Sequence, residues 1–279
     1  MDDQGVYRTS IATSSDRDEI IGFLEKQGVL ENAWLIWDVS DSFAGRKDPE
    51  SLVVCRSRTD VVGVAYICQA TEDRSGCKPS YDYDARLDAV DREAAEALLA
   101  GLPKGQSVYF TLVFRPVVQE YLGNLPGCTR HDGDLYFTVT PDRFQPVPSE
   151  DVVELTAADA GLFEGCEKQP AWESMRDNSR MFAIVRDGRA ASSVSCGPFP
   201  PKFVTSPRVF TVAALHTETP YRRMGLARKV VSHATDIILR DGGVPMYWTE
   251  QDNMASQELC KCLGYWQYAR QARFLWRKT

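Results

Sequence analysis

Hydrophobic and polar positions along this chain follow first a helical period and then an alternating one, and that succession occurs twice. In the first half, Ser15-Asp16-Arg17-Asp18 predicts a helix start, because a serine oxygen can accept from amides that lack partners in the first turn. Ile20, Ile21 and Leu24 supply its apolar stripe, Gly28 its stop, and a second helix is expected over Glu31 to Trp37. Ser51–Arg56 and Val61–Cys68, separated by a polar turn at Ser57 to Asp60, read as a β-hairpin. The alanine- and glutamate-rich stretch Ala89 to Leu99 predicts a helix, Val108–Val113 a strand, Pro116–Leu122 a short helix and Leu135–Thr140 a strand.

The second half repeats the order. Thr156-x-x-Asp159 starts a helix, and another is expected over Trp172. Phe182–Arg186 and Ala190–Cys196 flank Asp187-Gly188, the dipeptide that most strongly signals a tight hairpin. Gly197–Pro207 is a proline-rich loop and Val209–His216 a strand. Leu226 to Arg240 is a helix with Leu226, Val230, Val231, Ala234, Ile237 and Ile238 on one face. Gly242-Gly243 stops it, Met246–Glu250 is a strand, Ala255–Leu263 a helix, and Gln267 to Trp276 one or two closing strands. Between the halves, Pro141 to Ser149 holds three prolines and predicts a linker. The expected organisation is therefore a domain over 1–140, a linker over 141–149 and a second domain over 150–279, both of mixed α/β class.

At 279 residues, with 43% hydrophobic and 25% charged positions, the chain has the composition of a globular protein with room for two cores. The longest apolar run, Val61 to Cys68, is far short of the ~20 residues of a spanning helix, and no secretory signal is visible, so a cytoplasmic protein without a membrane partner is expected. A net charge of −7 argues against a nucleic-acid binder. Eight scattered cysteines and three distant histidines, His131, His216 and His233, lack the spacing of a zinc site, so reduced thiols and no metal are expected.

One stretch carries chemistry. Leu215-His-Thr-Glu-Thr-Pro-Tyr-Arg-Arg-Met-Gly-Leu-Ala227 puts a strand end, a short loop and a helix start in succession. The first amides of a helix point outward without internal partners, and the helix dipole adds partial positive charge. Gly225 lets an anion approach the backbone, Ala227 keeps the next turn small, and Arg222, Arg223, Arg228 and Lys229 surround the turn with no acid until Asp236. Such a turn suits a phosphate-type anion.

These residues resemble the acetyl-CoA loop of the GNAT superfamily of N-acetyltransferases. The resemblance covers roughly residues 150–279 and rests on Leu215-His216-Thr217, on Tyr221 to Ala227, and on Asn253 followed twelve residues later by Tyr265. It implies two tandem GNAT-like mixed-sheet domains, as in glycine N-acyltransferase-like members, with the N-terminal copy degenerate. It also implies an acyltransferase that uses acetyl-CoA and a small-molecule amine, as monomer or homodimer. Leu215, His216 and Thr217 would pair with the pantetheine arm, and Arg222, Arg223, Met224, Gly225, Leu226, Ala227 and Arg228 would hold the pyrophosphate. Asn253 would contact the cofactor or serve as a plain helix cap. Two departures from the family pattern bear on catalysis. Cys260 stands where a tyrosine often supplies the acid, and is either a proton donor or an inert buried thiol. The strand from Val209 holds no carboxylate, which leaves Glu250, at the end of the next strand, as a base acting through water or as a solvated acid. A non-catalytic CoA-binding module and a GNAT-fold enzyme of another reaction stay open beside the acetyltransferase. The substrate cleft is expected between the halves, near Trp172 and the Gly197–Pro207 loop.

Overall fold

The computed structural model describes residues 7–71, 79–102, 104–170, 179–199 and 207–278. Two compact units divide the chain, one of Met1–Asp134 with Ala269–Thr279 and one of Leu135–Tyr268.

The first unit begins with β1 (Tyr7–Ile11) and α1 (Arg17–Phe43). The predicted stop at Gly28 is a kink inside α1, where φ of 134° interrupts the helical backbone and a side chain would be strained. The hairpin β2 (Leu52–Ser57) and β3 (Asp60–Gln69) follows, then β4 (Tyr83–Ala89), α2 (Arg92–Ala100), β5 (Ser107–Val113), α3 (Pro116–Gly123) and β6 (Cys128–Thr138). The second unit continues with β7 (Val153–Leu155), a 3-10 turn over Ala157–Phe163, the hairpin β8 (Arg180–Arg186) and β9 (Arg189–Pro198), β10 (Val209–Thr217), α4 (Leu226–Arg240), β11 (Val244–Thr249), α5 (Met254–Cys262) and β12 (Trp266–Arg277). Thr156 and Asp159 do form the capping box read from the sequence, but it opens a 3-10 turn.

Both units have the same plan. Strands run β1-β2-β3-β4-β5-β12 in the first and β7-β8-β9-β10-β11-β6 in the second. In each, one pair is parallel, β4 with β5 and β10 with β11, while the other registers described are antiparallel. A parallel pair needs a crossover, supplied by α2 and α4 respectively. The α4 stripe read from the sequence is the buried one: Leu226, Val230, Val231, Ala234 and Ile238 pack in one cluster with Phe182, Ile184, Val212 and Tyr247. In the first unit Leu98 and Leu99 of α2 join Phe110, Leu122 and Phe274.

The units do not part at the proline-rich stretch. Leu135–Thr138 of β6 pairs with β11, whereas Ala272–Arg277 of β12 pairs with β5, so strand pairing carries the last residues into the first unit. Residues 141–149 are packed within the second unit, where Gln145 N–H donates to the Leu263 carbonyl at 3.0 Å and Val147 N–H to Ser232 Oγ at 3.0 Å. The seven described cysteines are free thiols, and no helix among the described residues is long and apolar enough to cross a membrane.

Candidate functional site

The parallel ladder between β10 and β11 ends early. Its last pair is Val212 with Tyr247, although β10 continues to Thr217 and β11 to Thr249. On its other side β10 stays paired with β9 as far as Thr217 opposite Ser192, and on β11 Trp248 and Thr249 pair only with β6. A bulge between Ala213 and His216 re-aims the end of β10, with Ala214 at a left-handed φ of 51°. The two strands thus stop bonding to each other while both run on, which leaves β10 without a β11 partner at Leu215, His216 and Thr217, although the Thr217 carbonyl accepts from Arg222.

A single turn of 3-10 helix, Thr219–Tyr221, leads from β10 to the loop before α4. Tyr221 Oη donates to Asp187 at 2.6 Å. Arg222 is tied back, its Nε donating to the Thr217 carbonyl at 3.0 Å and its Nη2 to Glu167 at 3.0 Å. Beyond it the loop is exposed. Arg223 and Gly225 both have left-handed φ, 65° and 78°, a backbone that turns successive N–H groups toward one side and suits an anion. Gly225 is the N-cap of α4 and supplies no side-chain cap. Among the described residues, the N–H groups of Arg223, Met224, Gly225, Leu226, Ala227 and Arg228 have no hydrogen-bond partner. They sit at the positive end of a 15-residue helix whose first turn holds no acid. Among the described residues Arg223 and Arg228 have no ionic partner either, whereas Lys229 is paired with Asp151 at 3.1 Å. Every residue assigned to the cofactor from Leu215 to Arg228 therefore falls on one continuous strand end, loop and helix start, except that Leu226 points into the core at 5% exposure.

Asn253 opens α5, and its Oδ1 accepts from Ser256 N–H at 3.1 Å, the ordinary use of an N-cap. Glu250 is exposed just past β11. Cys260 is at odds with a catalytic acid: it is 0% exposed among Tyr247, Leu263 and Tyr265, and burial pushes its thiol up to about 12. A thiol that deep in the core neither meets a departing thiolate nor competes with it for a proton. Trp172 and residues 200–206 lie outside the described residues.

Two further carboxylates belong to the site and escaped the sequence reading. Glu218, 9% exposed, accepts from Glu167 N–H at 2.9 Å and lies 3.0 Å from His216 Nε2. Glu167 accepts from Thr219 N–H at 3.0 Å. Hydrogen bonds from Thr219, with the charges of Arg222 and His216 behind them, hold the Glu167 carboxyl below its ordinary range. The donor atoms of Glu167, His216 and Glu218 lie within 4.8 Å of one another, spacing a cation can use, but both carboxylates already take N–H donors.

The first unit treats the same place differently. Its parallel ladder also ends early, at Ala85 with Phe110. Past that point Arg115, which follows β5, pairs with the buried Asp88 of β4, and Asn32 Nδ2 adds a bond to Asp88 at 3.0 Å. Only Val90 and Asp91 separate β4 from α2, and the Asp91 carboxylate takes Ala94 N–H at 2.8 Å. Where the second unit presents bare amides, the first presents a bound negative charge.

Residues 149–265 match the acetyltransferase (GNAT) family. Among solved structures the chain is similar to an acetyltransferase of the GNAT family from Colwellia psychrerythraea, at 13% identity and a TM-score of 0.60, covering 97% of this chain and 99% of that one. It is likewise similar to a tandem GNAT protein from the clavulanic acid biosynthesis pathway, at 15% identity and a TM-score of 0.57 over 98% and 99% of the two chains. A third, a GCN5-related N-acetyltransferase from Sphaerobacter thermophilus, has 11% identity and a TM-score of 0.57 over 96% and 95%. No curated protein matches the sequence. These likenesses give the fold: two tandem GNAT units, with the family's sequence pattern in the second.

Proposed function

We propose that the protein is an acetyl-CoA-dependent N-acetyltransferase that binds its cosubstrate in the second unit and transfers the acetyl group to an amine of a small molecule. The observation that carries this reading is the run of N–H groups from Arg223 to Arg228 at the N-terminus of α4, six without a partner among the described residues, beside a strand edge released from its neighbour. A diphosphate accepts from the amides and gains from the helix dipole. The amide groups of a pantetheine arm pair with the open edge at Leu215 to Thr217 as an added strand pairs with a sheet. In the transfer, the amine nitrogen forms the new bond to the acetyl carbonyl carbon as the carbon–sulfur bond breaks, and the sulfur leaves as thiolate. Holding both reactants in line supplies much of the rate, so strong acid–base help is not required. Glu250, exposed just past β11, takes the amine's proton through water, while Glu167 and Glu218 are already engaged by backbone N–H donors. The first unit is a degenerate copy, its opening bridged by Arg115–Asp88 and its helix start capped by Asp91.

Free thiol released from acetyl-CoA over a panel of amines, amino acids (glycine among them) and aminoglycosides tests the assignment. Turnover with at least one class is expected, together with a rise in melting temperature on adding acetyl-CoA. No thermal shift at saturating acetyl-CoA overturns the cofactor site. A shift without turnover on any amine favours a second reading, a non-catalytic CoA-binding module, which the burial of Cys260 motivates.

A further inference from the structure

Two carboxylates bind each other's neighbourhood at the foot of the anion loop. The Glu167 N–H donates to Glu218 at 2.9 and 3.2 Å, while the Glu167 carboxylate accepts from Thr219 N–H, the residue after Glu218, at 3.0 Å. The same carboxylate holds Arg222 Nη2 at 3.0 Å, and Arg222 Nε is fixed on the Thr217 carbonyl. Three contacts, at Glu218, Thr219 and Arg222, therefore pin this stretch against the segment that carries Glu167, and a fourth closes Arg222 onto Thr217. Immediately downstream, Arg223 to Gly225 are exposed, twice left-handed and, among the described residues, without partners for their N–H groups. Their shape is set by how the chain enters them.

We propose that Glu167 and Glu218 are positioning residues for the diphosphate of the cosubstrate: they hold the loop in its anion-binding shape before the ligand arrives. The inference rests on the cofactor site proposed above. Ordering a loop in advance lowers the entropy lost on binding. The alternative account is electrostatic and has the opposite sign. A carboxylate beside an anion site repels the ligand and occupies Arg222, so if charge alone mattered, removing Glu167 would tighten binding. Positioning requires that removal weaken it.

Isothermal titration of the full chain with CoA, ADP and pantetheine separates the two. Glu167→Ala should weaken CoA and ADP by about tenfold, the scale of one hydrogen bond to a charged group. Pantetheine binding should fall much less than CoA binding, and the loss should appear in the KM for acetyl-CoA rather than in kcat. Glu167→Gln, whose amide oxygen still accepts from Thr219 N–H, should recover most of the affinity. At 41% exposure the Glu167 side chain can be replaced without opening a core. Equal or tighter CoA binding by Glu167→Ala overturns the inference and leaves the cofactor site standing, and so does an equal loss for pantetheine, the mark of general damage. A wild-type protein that binds no CoA overturns both.

Discussion

Replacing Gly225 by aspartate puts a carboxylate at the N-cap of α4, the position Asp91 holds at α2, although Asp91 is extended (φ −147°) where Gly225 is left-handed (φ 78°), and its consequence is calculable. A Cβ at Gly225 meets no atom within 4 Å, so the substitution is not blocked sterically. The φ of 78° imposes about 1–2 kcal/mol on a residue with a side chain, with Asp among the more tolerant. A carboxylate cap on first-turn amides returns at most about 1 kcal/mol from that backbone, so net stability should fall by no more than about 2 kcal/mol. Ligand binding should suffer far more. If the carboxylate claims or repels the ligand from two of the first-turn donors, each bond being worth about 1.5–3 kcal/mol to a charged group, the loss is about 3–6 kcal/mol, or roughly two to four powers of ten in Kd. Gly225→Ala carries the backbone strain without the charge and should lose much less. Calorimetric titration with CoA, beside thermal melts of all three proteins, makes the comparison. If Gly225→Asp melts like the wild type and binds CoA within about threefold of it, the amides of α4 do not hold the diphosphate and the reasoning fails.

Cys260→Ala should lower stability by about 1 kcal/mol, the scale of one buried methylene-sized group, and leave kcat within about twofold, because a thiol raised to about 12 stays protonated and enclosed. Steady-state kinetics and a chemical melt check both, and a hundredfold fall in kcat contradicts the burial argument. His233 packs its ring on Phe182 with centroids 5.0 Å apart, and burial lowers its pKa below the ordinary 6.5. The unfolded chain then binds this proton more readily, so stability is complete above about 6.5 and declines as the pH falls toward the lowered value. Melts from pH 8 to 5 should show a slope that His233→Gln flattens.

The parts of the fold legible in the sequence are those whose signal is local. The α4 stripe, the Asp187-Gly188 hairpin and the break at Gly28 each follow from residues a few positions apart. β4 carries a local signal too, since Tyr-Asp-Ala-Arg-Leu-Asp-Ala alternates over Tyr83–Ala89, but it runs straight into the helical pattern from Ala89, which masks it. β1 and β7 are short edge strands, exposed along most of their length, and carry almost no pattern to read. The same divide runs through the site. Leu215 to Arg228 form one contiguous stretch with a pattern of its own, whereas Glu167 lies about fifty positions upstream of its partners Glu218, Thr219 and Arg222 and has no motif of its own. The family resemblance puts Cys260 where a tyrosine often supplies the acid, but the sequence does not give its depth, and at 0% exposure depth decides its chemistry.

The exchange of closing strands has a consequence for any attempt to separate the halves. Cutting within 141–149 leaves the first piece with β5 but without β12, and Ala272 to Arg277 no longer cover the strand whose Val108, Phe110 and Val113 are 0% exposed. The second piece keeps β12 without β5 and loses Leu135 to Thr138, the partners of Met246 to Thr249 on β11. Each piece therefore gains an unpaired edge flanked by core side chains, the arrangement that drives strand-to-strand aggregation. Residues 1–140 and 150–279 expressed alone should be insoluble or polydisperse on size exclusion, and produced together they should recover a single species with one cooperative melt. A monomeric, cooperatively folded product from either piece alone would mean that the exchanged strands decorate the units without completing them.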